Sequence, residues 1–292
     1  RFKDCTFINN YADGNGGAIY LEHDALTKIE NCVFTNNIAN GNGGALDWSA
    51  GSIHGLVNNC NFTNNTAERS GGAIYWRGTD GNVTNSIFTN NTAKGNKLAP
   101  DSYGNETYGG NGGAIMWVGS DGYVYNCNFT SNSAYGHNMG NYIEGGKGGA
   151  VFLQGSTAGS CNNTKFDACT CDSNYAQVNG GAIDWYHNAH NGLVNNSIFT
   201  NNIANRSGGA ILWTGSNGDI INSVFTDNSA KGNVAANDSY GAITYGGNGG
   251  AVMWVGSDGY VYNTTFTDNK AYGHNNGEYF EGGKGGAVYL QS

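Results

Sequence analysis

Few residues in this chain are placed to do covalent chemistry. Asp47 and Asp184 stand 137 residues apart in matching aliphatic-Asp-Trp triplets, Leu46-Asp47-Trp48 and Ile183-Asp184-Trp185. Cleaving a glycosidic bond takes two carboxyl groups about 5–10 Å apart in a groove, and neither aspartate has an evident acidic neighbour. Asp80, Asp121 and Asp258 lie in turn sequences such as Gly119-Ser120-Asp121-Gly122, where Asp bonds local backbone. There is no Ser/His/Asp or Cys/His signature. Asp13-Gly14-Asn15-Gly16 lacks the further acidic ligands of a calcium loop. His187 and His190 have no metal-binding partner close in sequence. The expectation is a chain with no catalytic residue, metal or cofactor.

Recognition chemistry is better represented. Two polar, tyrosine-bearing segments occur, and each occurs twice. Lys94 to Asn111 carries Asp101, Tyr103 and Tyr108, and Tyr135 to Lys147 carries His137, Tyr142, Glu144 and Lys147. Their duplicates carry Asp238, Tyr240 and Tyr245, then His274, Tyr279, Glu281 and Lys284. Tyrosine joins an apolar body to a polar tip, which suits sugar or protein recognition. These residues are the candidate ligand-binding set; the competing reading is a solvated cap over the edge of the fold, copied by duplication. Seven cysteines cannot all pair within the chain. Cys5, Cys32 and Cys60 read as small buried filler, while Cys161 has the spacing to bridge to Cys169 or Cys171. Among the Asn-X-Ser/Thr sequons, Asn105 and Asn237 sit at loop tips and are the candidate glycan acceptors.

The elements that position these segments come from a repeat. Gly-Gly-Ala followed by Ile, Leu or Val begins at Gly16, Gly43, Gly71, Gly112, Gly148, Gly180, Gly208, Gly249 and Gly285. It alternates with phenylalanines at Phe7, Phe34, Phe62, Phe88, Phe129, Phe166, Phe199, Phe225 and Phe266. Alignment on Phe gives an aliphatic column five residues before it (with Cys161 in the sixth copy) and an Asn column three before. A Cys/Ser/Thr column stands two before, a second Asn column three after (broken by Cys169), and an Ala column five after (broken by Cys171). Side chains on a strand alternate faces. The aliphatic column is out of phase with Phe, so a bend belongs at the first Asn and another at the second. Three short strands and two Asn corners make a coil, and stacked coils carry two Asn ladders. Leu21, Trp48, Trp76, Trp117, Leu153, Trp185, Trp213, Trp254 and Leu290 share one phase and read as core. The position before each of them accepts Tyr20, Asp47, Met116 and Asp184 and reads as solvent-facing.

From Phe to the next Gly pair the spacing runs 9, 9, 9, 24, 19, 14, 9, 24 and 19 residues, which places every large insertion at one corner. The units from Gly43 to Gly148 recur from Gly180 to Gly285 with the same 137-residue shift. The predicted fold is all-β: a right-handed single-stranded parallel β-helix of about nine coils in a four-coil super-repeat. It is read as one domain over residues 1–292 and as a segment of a longer array. Thirteen basic residues against twenty-two acidic ones, a net charge of −9 and no basic run point away from nucleic acid. Nothing approaches the roughly 20 apolar residues of a spanning helix, so no membrane insertion by this segment is expected.

With GGA(I/L/V) and Phe-x-x-Asn paired in every coil, the chain resembles the passenger regions of chlamydial polymorphic membrane proteins. It is also similar to Asn-rich adhesin-like surface proteins of methanogenic archaea. Phe166-Asp167-Ala168-Cys169 departs from the motif by losing its Asn. The resemblance implies an extracellular, surface-displayed adhesin: a rigid β-helical stalk whose tyrosine-rich loops meet cell-surface glycans or proteins, with no catalytic residues. The alternative is a structural spacer or a filament-forming subunit that stacks on itself end to end. A polysaccharide lyase or hydrolase ranks third.

Overall fold

The computed structural model describes residues 1–22, 26–48, 53–100, 106–155, 163–186, 189–237, 243–275 and 277–291. Four sheets of nine strands each run the length of the stack, and strands pair in parallel with identical columns in register, as in Phe34↔Phe62↔Phe88. One coil lays one strand in each sheet; Lys28–Glu30, Val33–Thr35, Ile38–Ala39 and Leu46–Trp48 make the second coil. The fold is a parallel β-helix of nine coils. It has one sheet more than the three strands predicted per coil. The extra sheet is built from two-residue strands such as Thr66–Ala67, whose alanines Ala39, Ala67 and Ala93 are buried.

The first corner falls where expected, on left-handed residues such as Asn31 (φ 55°) and Asn59 (φ 51°). The second falls one residue earlier than predicted, on Asn36 (φ 56°), Asn64 (φ 55°) and Asn90 (φ 55°). A single left-handed residue reverses the inward-outward alternation, so the position two after Phe is an exposed corner and the asparagine after it points inward. That asparagine makes a buried ladder. The Oδ1 of Asn91 accepts from both the backbone N–H and the Nδ2 of Asn65 at 3.0 Å, while the Asn91 Nδ2 donates to Asn132 Oδ1 and to the Phe62 carbonyl. Its amide group is thereby satisfied without water, as a buried amide must be.

Inside the coil, Phe rings stack at 4.6–4.9 Å and Trp rings at 4.2–4.9 Å. The tryptophans are core, as read from their exchange with leucine. The first glycine of each pair takes a left-handed turn (Gly112, φ +66°). The second lies so close to the next coil that a Cβ on Gly113 would overlap the carbonyl oxygen of Gly149.

The sixth coil is read differently by structure and by motif. Phe166 pairs with Val124 and Val194 in the first sheet, and Cys171 pairs with Phe129 and Phe199. The Phe column therefore holds Cys171, the small column holds Cys169, and the ladder asparagine is retained as Asn174. The motif is shifted by five residues; its Asn is not lost. The insertion moves with it. It lies between Val151–Leu153 of the fourth sheet and Lys165–Asp167 of the first, so insertions occupy two corners rather than one. Packing explains the exchange: the Phe166 ring leans into the space left by the smaller Cys171, 5.6 Å from Phe129 and 6.4 Å from Phe199. Cys169 and Cys171 are buried free thiols. Cys169 Sγ lies 3.2 Å from the Asp167 carbonyl, and burial raises both pKa values well above the ordinary value. Cys161, the proposed partner, lies outside the described residues.

This exchange predicts a coupled pair. Phe166→Val alone should cost about 2–4 kcal/mol through the cavity it leaves, and Cys171→Phe alone about 1–3 kcal/mol through overpacking. The double variant restores a regular Phe column and should lose less than either single change. Urea unfolding of the four proteins checks this, and simple additivity would refute the exchange.

Candidate binding clefts on the outer face of the fourth sheet

The predicted loops fold as antiparallel hairpins. The first pairs Ala99–Pro100 with Glu106–Thr107, and the second Gly136–Asn138 with Ile143–Gly145. Their duplicates pair Ala236–Asn237 with Ile243–Thr244 and Gly273–Asn275 with Phe280–Gly282. All four leave the corner between the third and fourth sheets and stand along one edge of the fourth. Neighbouring hairpins are locked together. Tyr108 stacks on His137 with ring centroids 3.6 Å apart, and Tyr245 stacks on His274 at 3.5 Å. At Gly145 the backbones come so close that a Cβ would overlap the Gly109 carbonyl oxygen. The second hairpin also reaches the next super-repeat, where Ile143 N–H donates to the Ala235 carbonyl at 2.9 Å. The hairpins thus form a continuous wall.

The wall buries residues predicted to face solvent. Tyr75, Met116 and Phe152 point out of the coil, yet they are only 3%, 5% and 1% exposed. With Val118 and the partly buried Tyr186 they form an apolar cluster separate from the coil interior. Between this floor and the wall lie two clefts. The first, of about 210 Å³, includes Arg69, Thr107, Glu144, Lys147, Gln154 and Tyr186 in its lining. The second, of about 360 Å³, includes Arg206, Thr244, Glu281, Lys284, Tyr186 and Gln291. Except for the shared Tyr186, each pair of lining residues just named is related by the 137-residue shift, so the clefts are one site built twice.

Of the residues predicted from sequence, Glu144, Lys147, Glu281 and Lys284 line the clefts. Tyr108, His137, Tyr245 and His274 turn their ring faces on one another in the wall. Tyr279 is 60% exposed, and Tyr142 is half-buried on the second hairpin. Asp101, Tyr103, Asn105, Asp238, Tyr240 and His187 lie outside the described residues; Asn237 pairs through its backbone with Ile243. Sequence reasoning missed Arg69, Arg206 and Tyr186. Arg206 donates through Nε to the Thr244 carbonyl at 2.9 Å and through Nη2 to Thr244 Oγ1, fixing the base of its hairpin. Arg69 does the same for the first hairpin, from Nη2 to the Ala99 carbonyl at 2.7 Å. The recurrence of Arg-Ser-Gly-Gly at Arg69 and Arg206, each two residues before a Gly pair, was the available signal.

Asp47 and Asp184 are also corrected from solvent-facing to buried, both at 0% exposure. They pair in register with Tyr75 and with Phe152 and Leu212. Four coils separate them, about 19 Å at parallel-strand spacing, so they are not a carboxylate pair. Neither carboxylate has a hydrogen-bond partner. Burial pushes Asp47 up to about 7 against the opposing charge of Arg77, and Asp184 up to about 7 against Lys147 and Arg206. The charges acting on Asp184 are thus cations that line the clefts. Among the described residues no group of three or more His, Cys, Asp or Glu side chains is arranged to hold a metal ion.

The class is settled by this architecture: a parallel β-helical repeat protein with hairpin-walled clefts on one sheet. The Chlamydia polymorphic membrane protein repeat matches at residues 4–22, 31–47, 59–75, 85–116, 196–212 and 263–291. Recurring along the chain, these matches make it similar to that repeat family, the first of the two it resembles. No curated protein matches the chain. Among solved structures, one similar chain is described as the complex structure of alginate lyase AlyF-OU02 with G6, at 14% identity and a TM-score of 0.35. The match covers 95% of this chain and 58% of that one, so the chain spans little more than half of the lyase's length. A likeness that low carries no argument about activity.

The buried aspartate has a defined pH signature. Its pKa is raised in the folded state over the ordinary 3.8, so the native protein binds the proton more tightly than the unfolded chain. The protonated form's advantage is fully present below about pH 4 and is lost as pH rises to about 7, at a cost of up to about 4 kcal/mol. Asp184→Asn should flatten this fall, gaining most above pH 7 and nothing below pH 4. Urea unfolding at pH 4, 5.5 and 7.5 checks it, and parallel pH profiles for the two proteins would contradict it.

Proposed function

We propose that this chain is an extracellular, adhesin-like segment displayed at a cell surface, with its β-helix as a rigid stalk and the two clefts as its binding sites. The observation that carries this reading is the duplicated cleft, in which floor, wall and charged residues recur together. A cap over a sheet edge needs apolar cover and hairpin packing; it does not need a polar-lined cavity beneath. The repeat family supports surface display, and the recognition role rests on the cleft. Binding is assigned to the cleft floor and wall base, while the Tyr108 and Tyr245 rings brace the hairpins.

The reading is non-catalytic, because the candidate aspartates are too far apart for paired acid–base work. A spacer or filament-forming subunit is the alternative, and the buried asparagine ladder, unbroken through all nine coils, suits it equally well.

Binding of the chain to panels of cell-surface glycans and proteins tests the choice. Tyr186→Ala should weaken any ligand about tenfold or more, at least about 1.4 kcal/mol. Tyr142→Ala and Tyr279→Ala should weaken it less. Filaments without ligand binding would establish the spacer instead.

A further inference from the structure

The cations along the fourth sheet are regularly placed. Arg69, Lys147, Arg206 and Lys284 line the clefts and belong to the third, fifth, seventh and ninth coils. A cation therefore recurs every second coil, about 10 Å apart at parallel-strand spacing. The chain has only thirteen basic residues and a net charge of −9, so collecting four on one face creates a local field opposed to the charge of the whole. Low-dielectric walls focus such a field.

Three kinds of group lie along the row. Lys147 Nζ stands 4.2 Å from the centroid of the Tyr186 ring, and Lys284 Nζ 5.9 Å from that of Tyr289, pairing each ammonium with an aromatic face. Glu144 and Glu281 line the same clefts, and Glu281 is held by the Tyr245 N–H at 2.8 Å. Ammonium groups suit carboxylates, rings suit the apolar faces of sugars, and carboxylate acceptors suit hydroxyls. An extended peptide repeats its same-face side chains about every 6.7 Å, out of step with the row. Two linked sugar rings span about the two-coil interval.

We propose that the two clefts form one groove for an acidic polysaccharide in which every second sugar bears a carboxylate. Its carboxylates lie at Lys147 and Lys284, its rings lie on Tyr186 and Tyr289, and its hydroxyls donate to Glu144 and Glu281. Arg206, committed to its hairpin, supplies charge midway. This rests on the clefts being binding sites and adds the chemistry of the ligand.

Calorimetric titration of the 292-residue chain with a hyaluronan octasaccharide, whose uronates alternate, tests it. The octasaccharide should bind and weaken as salt is raised. Its carboxyl-reduced counterpart should bind at least tenfold more weakly. Lys147→Gln should cost about tenfold and Lys147→Gln with Lys284→Gln more, while the double Arg replacement restores binding. Polyglutamate of similar length should not compete. Equal binding of native and carboxyl-reduced octasaccharides would overturn the acidic-ligand assignment while leaving the clefts as glycan sites. Competition by polyglutamate would overturn it in favour of an acidic peptide. Failure of the octasaccharide to bind a chain whose panel ligands are lost in Tyr186→Ala would also overturn it, with the binding role intact.

Discussion

The constraint on which this structure depends is in-register parallel stacking, and its most demanding point is the buried asparagine row. Each amide receives two hydrogen bonds from the coil before it. It gives one to the coil after and one to the carbonyl of a Phe-column residue, as Asn91 does between Asn65 and Asn132 and Asn202 does with Cys171. Removing one member leaves donors and an acceptor stranded in a dry interior, where each costs about 1–3 kcal/mol. The row therefore fixes which residue of each coil must stand at that height. The Phe, Trp and Ala columns inherit their alignment from it. A third polar row, before each Gly pair, follows the same logic at a less buried corner: Ser70 N–H donates to Asn42 Oδ1 and Asn111 N–H to Ser70 Oγ.

That dependence explains how much was legible in the sequence. Columns of identical residues become ladders, so nine coils, parallel pairing, the Trp core and the first Asn corner could be read from spacing. What failed was local geometry. The shift of the second corner from Asn37 to Asn36 depends on one left-handed residue, and both members of an Asn-Asn pair tolerate that conformation. The third sheet is two residues wide, too short for alternation to be detected. Phe166 drew the alignment to itself because Phe elsewhere marks the column; Ala176 and Asn174, at the spacing from Gly180 seen in regular coils, were the better guides.

The site was partly legible for a related reason. Glu144, Lys147 and their copies stood out because the loops interrupt the repeat. Tyr186 and Arg206 did not, since they lie in the repeat itself and acquire a role only when hairpins from other coils fold over them. The misplacement of Asp184, on which Lys147 and Arg206 of other coils act, has the same origin. An outward-pointing strand position is exposed only if nothing lies across it, and what lies across it is remote in sequence.

The sixth coil has a further consequence. A chain of near-identical coils can fold with one coil skipped, because most columns remain satisfied after a slip of a whole repeat, and such mispairing is a common failure of repetitive proteins. Phe166 and Cys171 make the sixth coil tolerant of such a slip, because they lie five residues apart in one coil and keep their mutual fit wherever that coil stacks. The order of the coils is carried instead by what leaves the stack: Ile143 N–H reaches the Ala235 carbonyl only when the second hairpin of one super-repeat stands beside the first hairpin of the next. An irregular coil at the junction of the two super-repeats thus leaves the counting of coils to the hairpins.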